Sequence, residues 1–110
     1  MLNILQAPGT ASGQTAVSGT FTAVGSSSSF SPIPGRGFNV STWGTFVGSV
    51  VVERSFDAGT TWLPLTAAGV NVSTFSGPVS EVLEEPEYGT QYRLRCVSFG
   101  SGTINFRISQ

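Results

Sequence analysis

Few residues of this 110-residue chain are able to do chemistry. There is no histidine, which removes Ser-His and Cys-His nucleophile pairs and any histidine metal site. The single cysteine, Cys96, shares the phase of Tyr92 and Leu94 in an alternating stretch, and no neighbour in sequence would stabilise a thiolate. It reads as a buried structural thiol. Glu81, Glu84, Glu85 and Glu87 crowd around Pro86. Paired carboxylates of this kind serve glycoside hydrolysis, and oxygen clusters hold calcium. No Asp/Asn ligand spacing accompanies them, so the expectation is a solvated acidic loop. No catalytic residue, metal ligand or cofactor is expected, and the chain reads as a non-enzyme.

The most specific local pattern is Ser55-Phe-Asp-Ala-Gly-Thr-Thr-Trp62, which fits S-x-D-x-G-x-T-W. The Asp57 carboxylate can accept amide hydrogens across such a turn. Gly59 supplies positive φ, Ser55 and Thr61 can pair across the hairpin base, and the Trp62 ring can cover its side. The pattern resembles the Asp-box of sialidases and other sugar-handling β-propellers. A propeller needs about four blades of four strands each, and this chain has room for two at most. Ser55, Asp57, Gly59, Thr61 and Trp62 are therefore expected to lock a hairpin.

Arg93, Arg95 and Arg107 fall in the outward phase of the last two strand-like stretches and are expected to form a small basic stripe. Pairing with Glu53 or the acidic loop is one account of them; an interface with another subunit is the other. Trp43, out of phase with Phe38 and Val40, is a further contact candidate.

Positioning these residues falls to an all-β frame. Gly, Ser and Thr abound, and the apolar residues are mostly Val and Phe. Five arginines against six acidic residues leave a net charge of −1, so no footprint for nucleic acid and no polybasic membrane patch is present. The N-terminal stretch lacks the basic and apolar regions of a secretory signal, and synthesis in a cytoplasm is expected. Residues 1–18 read as an extended N-terminal arm and 19–110 as one domain. Strands are expected at 19–24, 38–43, 46–56, 61–65, 69–75, 78–85, 90–99 and 103–109, with the last two forming a hairpin around Gly100–Gly102. In the valine strand, Val50, Val52 and Phe56 share one face, and Arg54 falls in the same phase near the rim. Seven or eight short strands predict a two-sheet antiparallel β-sandwich, immunoglobulin- or fibronectin-III-like, with the jelly roll as the competing topology.

From about Phe38 onward the chain resembles short β-rich proteins encoded by tailed phages and prophages. The stretches that carry the resemblance are "FNVSTWGTFVGSVVVERSFDAGTTW" and "YRLRCVSFGSGTINFRISQ". It implies a virion structural protein, foremost a capsid decoration or cement protein. Such a protein binds the major capsid protein as a homo-oligomer, with a trimer as the guess. A tail, neck or fibre-base protein is the first alternative. A carbohydrate-binding adhesion module, using Trp43 and the loop Ser26–Gly37 for sugar stacking, is the second.

Overall fold

The computed structural model describes residues 15–110, which form no helix and pair entirely as antiparallel sheets. In chain order the strands are β1 (Ala16–Phe21), β2 (Gly25–Ser26), β3 (Phe38–Trp43), β4 (Phe46–Ser55) and β5 (Leu63–Pro64). They continue with β6 (Thr66–Ala67), β7 (Val70–Asn71), β8 (Thr74–Phe75), β9 (Val79–Leu83), β10 (Gln91–Gly102) and β11 (Ile104–Ser109). Of the expected arm, residues 1–14 lie outside the described residues. Ala16, Val17 and Ser18 belong to β1, paired with Ser109, Ile108 and Arg107 of β11.

One sheet has the order β9-β3-β11-β1; a second runs β2-β10-β4-β5, with β8 also pairing β4. Strands β5 and β8 occupy the same side of β4, opposite Glu53–Arg54 and Val50–Val51 respectively. Between them Leu65 donates its N–H to the Val52 carbonyl, and Val52 donates to Ser73. The two short strands are thus one interrupted lane, and the small β6–β7 hairpin loops out of it. Pro64 sits on this outer lane, where its missing N–H costs no ladder bond.

Alternation explains why these segments are strands with one buried face. Phe38, Val40 and Thr42 of β3 point inward, as do Ile104, Phe106 and Ile108 of β11. From the other sheet come Val50, Val52, Tyr92, Leu94 and Cys96, all in the same buried cluster. Each fully buried large side chain contributes about 1.5–3 kcal/mol. Ring contacts bridge the layers: Phe38 of one sheet meets Tyr92 of the other edge-on at 4.8 Å. Phe56 departs from expectation. It is 56% exposed because β4 ends at Ser55 and the chain is already turning.

The expected terminal hairpin does not form. β10 pairs with β4 and β2, and β11 pairs with β1 and β3, so the chain changes sheets at Thr103. Gly100–Gly102 belong to β10 instead of making a turn. Gly44, at the crossing from β3 to β4, packs against this second crossing. A Cβ on Gly44 would stand 2.7 Å from the Thr103 carbonyl oxygen, and one on Gly102 would run into the Thr45 carbonyl. Their φ values, +116° and +89°, redirect the chain where a side chain would block it. Alternating pattern is equally served by a hairpin and by a crossing, since either buries the same residues; the glycine corners decide.

Candidate functional site

The turn after β4 is held mainly by two side chains. The Ser55 hydroxyl donates to Asp57 Oδ1 at 2.7 Å and accepts the Gly59 N–H at 2.9 Å. Asp57 Oδ1 also accepts the Thr61 N–H at 2.8 Å. Ser55 is fully buried and Asp57 exposed, so the serine anchors the turn to the core while the aspartate clamps its outer side. Backbone and hydroxyl donors from Thr61 and Ser55 hold the Asp57 carboxyl below its usual range. Ala58 and Gly59 have φ of +59° and +89°, the positive pair that a type I′ hairpin turn requires. Ser55 and Thr61 meet through Asp57, where a direct pairing had been expected. The ring of Trp62 lies beside Gly59, 3.6 Å from where a Cβ would be.

This turn and two of the three arginines form one surface. The Arg93 guanidinium stands 4.4 Å from the centre of the Trp62 ring, a cation–π arrangement. Glu53, on the outer phase of β4 yet only 4% exposed, accepts Arg93 Nε on Oε1 and Arg95 Nε on Oε2, each at 2.9 Å. The register dictates this: Arg93 faces Glu53 directly, and Arg95 faces Val51 one pleat away. The outer face of the five-stranded sheet therefore carries one carboxylate between two cations. Farther along it, Val47 is 65% exposed and Val97 partly so.

Arg107 is not part of that stripe. It lies on β11 in the other sheet, opposite Ser18 and Ser41. The three-arginine stripe depended on a β10–β11 pairing, and the sheet crossing separates its members. Trp43 is also apart. It ends β3 next to Asn105, whose side chain donates to the Trp43 carbonyl. The loop 27–37 enters at the opposite end of β3, so Trp43 and that loop do not make one sugar site.

The acidic loop requires a larger correction. Glu85 is buried to 2% exposure, whereas Glu81, Glu84 and Glu87 are exposed. Its Oε1 accepts the Tyr92 hydroxyl at 2.7 Å and the Arg54 Nε at 3.1 Å, and its Oε2 accepts the Glu87 N–H at 2.9 Å. Burial pushes the Glu85 carboxyl up, but the hydrogen bonds from Tyr92, Glu87 and Arg54 outweigh it and hold the group below its ordinary value. Burial and the adjacent carboxylate push Tyr92 up to about 12. The signal lay in Arg54: a cation in the inward phase of a core strand demands a buried acid. Cys96, buried on β10, donates to the Ser98 carbonyl, and burial pushes its thiol up. None of these groups is poised to exchange a proton near neutrality. Among the described residues no cluster of His, Cys, Asp and Glu has the makings of a metal site.

The loop before β3 is tied to the C-terminus. Gln110 accepts the Ile33 N–H on Oε1 at 2.7 Å, and its Nε2 donates to the Ile33 and Arg36 carbonyls. In comparisons with known proteins, no family model, curated protein or solved structure matches the chain.

Proposed function

We propose that this chain is a non-enzymatic structural protein of a tailed-phage virion, a decoration or cement protein that binds the major capsid protein shell as an oligomer. The observation that carries the reading is the sequence resemblance from Phe38 onward, taken with where its two stretches fall. The first supplies β3 and β4, and the second supplies β11 and most of β10, the strands that pair with them. The resemblance thus covers the framework of both sheets, with the Asp-box turn at its rim. Strand order supports the jelly-roll form of the sandwich over the immunoglobulin-like one, whose last two strands share a sheet. With β5 and β8 counted as one lane, the eight lanes run 6-3-8-1 and 2-7-4-5, consistent with a double Greek-key jelly roll.

The docking face under this reading is the outer side of the five-stranded sheet. Two arginines against one glutamate leave it one surplus positive charge, flanked by exposed Val47 and Val97. An apolar patch edged by arginine suits an acidic, partly apolar partner surface. The deciding experiment is an electron-microscopy map of the intact particle. Density over the capsid lattice, lost in an Arg95→Glu variant and kept in Arg107→Glu, is the expected result. Density at the neck or tail would move the protein there. A monomer by light scattering, together with particles lacking the chain, would overturn the virion reading altogether.

A further inference from the structure

We infer that the cleft between residues 31–34 and 88–91 is a binding site for one ring of a neutral saccharide. The cleft has a volume of about 440 Å³, within the range of small-molecule sites. Its walls are Pro32, Ile33 and Pro34 on one side and Tyr88, Thr90 and Gln91 on the other, with no charged side chain among its lining residues. A charged ligand would be desolvated there without compensation.

Two independent features point to an occupant. Tyr88 is 88% exposed, the most exposed large side chain with an apolar body among the described residues. Thr90 is 1% exposed, and its hydroxyl is the one buried side-chain polar atom among the described residues without a hydrogen-bond partner. A buried unpaired hydroxyl costs roughly 1–3 kcal/mol. Thr90 is a lining residue of the cleft, and its Oγ1 has no hydrogen bond inside the protein to give up to a ligand. A hydroxyl both donates and accepts, which matches the hydroxyls along a sugar's edge. The apolar C–H face of the same sugar suits the tyrosine ring and the proline wall. Proline-rich peptides dock into grooves lined by several aromatic rings. Here the prolines belong to the protein's own wall and there is one ring, so the saccharide is the better fit.

Both walls are held before any ligand arrives, which lowers the ordering cost of binding. Gln110 fixes Ile33 through its N–H and its carbonyl, and the Gly35 N–H donates to the Glu85 carbonyl. Glu85 Oε2 in turn holds the Glu87 amide next to Tyr88. The cleft shares no lining residue with the face proposed to dock on a capsid, and the saccharide reading does not rest on that one.

The test is a glycan array with the full chain, followed by calorimetric titration with the best neutral mono- or disaccharide and melting curves of each variant. Wild-type protein is expected to bind neutral sugars in preference to sialylated or sulfated ones. Tyr88→Ala is expected to abolish binding, and Thr90→Val to weaken it about tenfold. Thr90→Val should at the same time leave the melting temperature unchanged or raise it, because it removes an unpaired hydroxyl. Loss of binding with retained stability is a signature that unfolding does not produce. An empty array, binding that survives both substitutions, or a proline-rich peptide that binds the cleft where sugars do not, would overturn the inference.

Discussion

Glu53 and Glu85 are both acidic residues buried to within a few per cent, and both are held by arginine, yet they are built in opposite ways. Glu53 lies on a regular strand and meets two arginines of the adjacent strand by register alone. Its arginines keep part of their side chains in water, 22% and 44% exposed. Glu85 lies in an irregular loop and reaches inward to a core tyrosine and to Arg54. The first pairing is a sheet-surface device whose members can return to solvent if separated. The second closes the end of the core, where the Tyr92 hydroxyl and Arg54 Nε both donate to one carboxylate oxygen. Burial of the carboxylate is similar in the two; what differs is how well its partners can do without it.

The largest effect therefore belongs to Glu85→Ala. Removing one member of a buried pair costs about 3–5 kcal/mol, and the 32% exposure of the Arg54 side chain places this one near the lower end. Chemical denaturation measures it, and a loss no greater than that of Glu53→Ala would break the contrast. The pH profile sharpens it. The Glu85 carboxyl titrates lower in the folded protein than in the unfolded chain. Its contribution is complete above the unfolded pKa of about 4.3 and is lost as the pH falls through the folded value. At the alkaline end, the Tyr92 contribution is complete below 10.0 and fades as the pH rises toward about 12. Glu85→Gln should remove the Glu85 part of the acid limb and shrink the alkaline limb, which burial of Tyr92 still sustains, whereas Glu53→Gln should leave the alkaline limb intact.

Glu53→Gln at neutral pH should cost less, about 1–2 kcal/mol, because one amide still accepts from one arginine and the other is freed to water. Ser55→Ala, which unpairs the Gly59 amide beside the same strand, should lower stability by about 1 kcal/mol. Asp57→Ala should lower the melting temperature by less than Ser55→Ala does; an unchanged melting temperature would show that the serine alone locks the turn. Arg95→Ala should be the mildest, within about 0.5 kcal/mol, and milder than Arg93→Ala, which also loses the Trp62 ring. Equal effects of the two would show that the tryptophan contact contributes nothing.

What sequence reasoning reached follows the same division. The faces of β3, β10 and β11 were legible because period-two alternation specifies which residues go inward whatever their neighbours are. Seven of the eight lanes coincide with expected strands, but the lane broken into β5 and β8 reads in sequence as two strands, 61–65 and 69–75, and β2 at Gly25–Ser26 is too short to show an alternating pattern. The Ser55–Trp62 turn was legible because its bonds run between residues at most four apart in sequence. Glu85 was misplaced because its partners, Tyr92 and Arg54, lie seven and 31 residues away. Of the cleft between Pro32 and Tyr88, only the loop Ser26–Gly37 stands out in the sequence; that Tyr88 lies across from it does not, since neither wall has a period.

By itself, then, the sequence determined an all-β chain, the buried side of each long strand and the chemistry of one turn, all of which are local. Tertiary structure alone decided which strands are neighbours, because a hairpin and a sheet crossing bury the same side chains and differ only in direction at Gly44 and Gly102. With that choice came the separation of Arg107 from Arg93 and Arg95, the burial of Glu85 and the meeting of Tyr88 and Thr90 with Pro32 and Ile33 across an uncharged cleft. Pairing between distant strands is settled by closing one shared core, and that is a property of the whole chain at once.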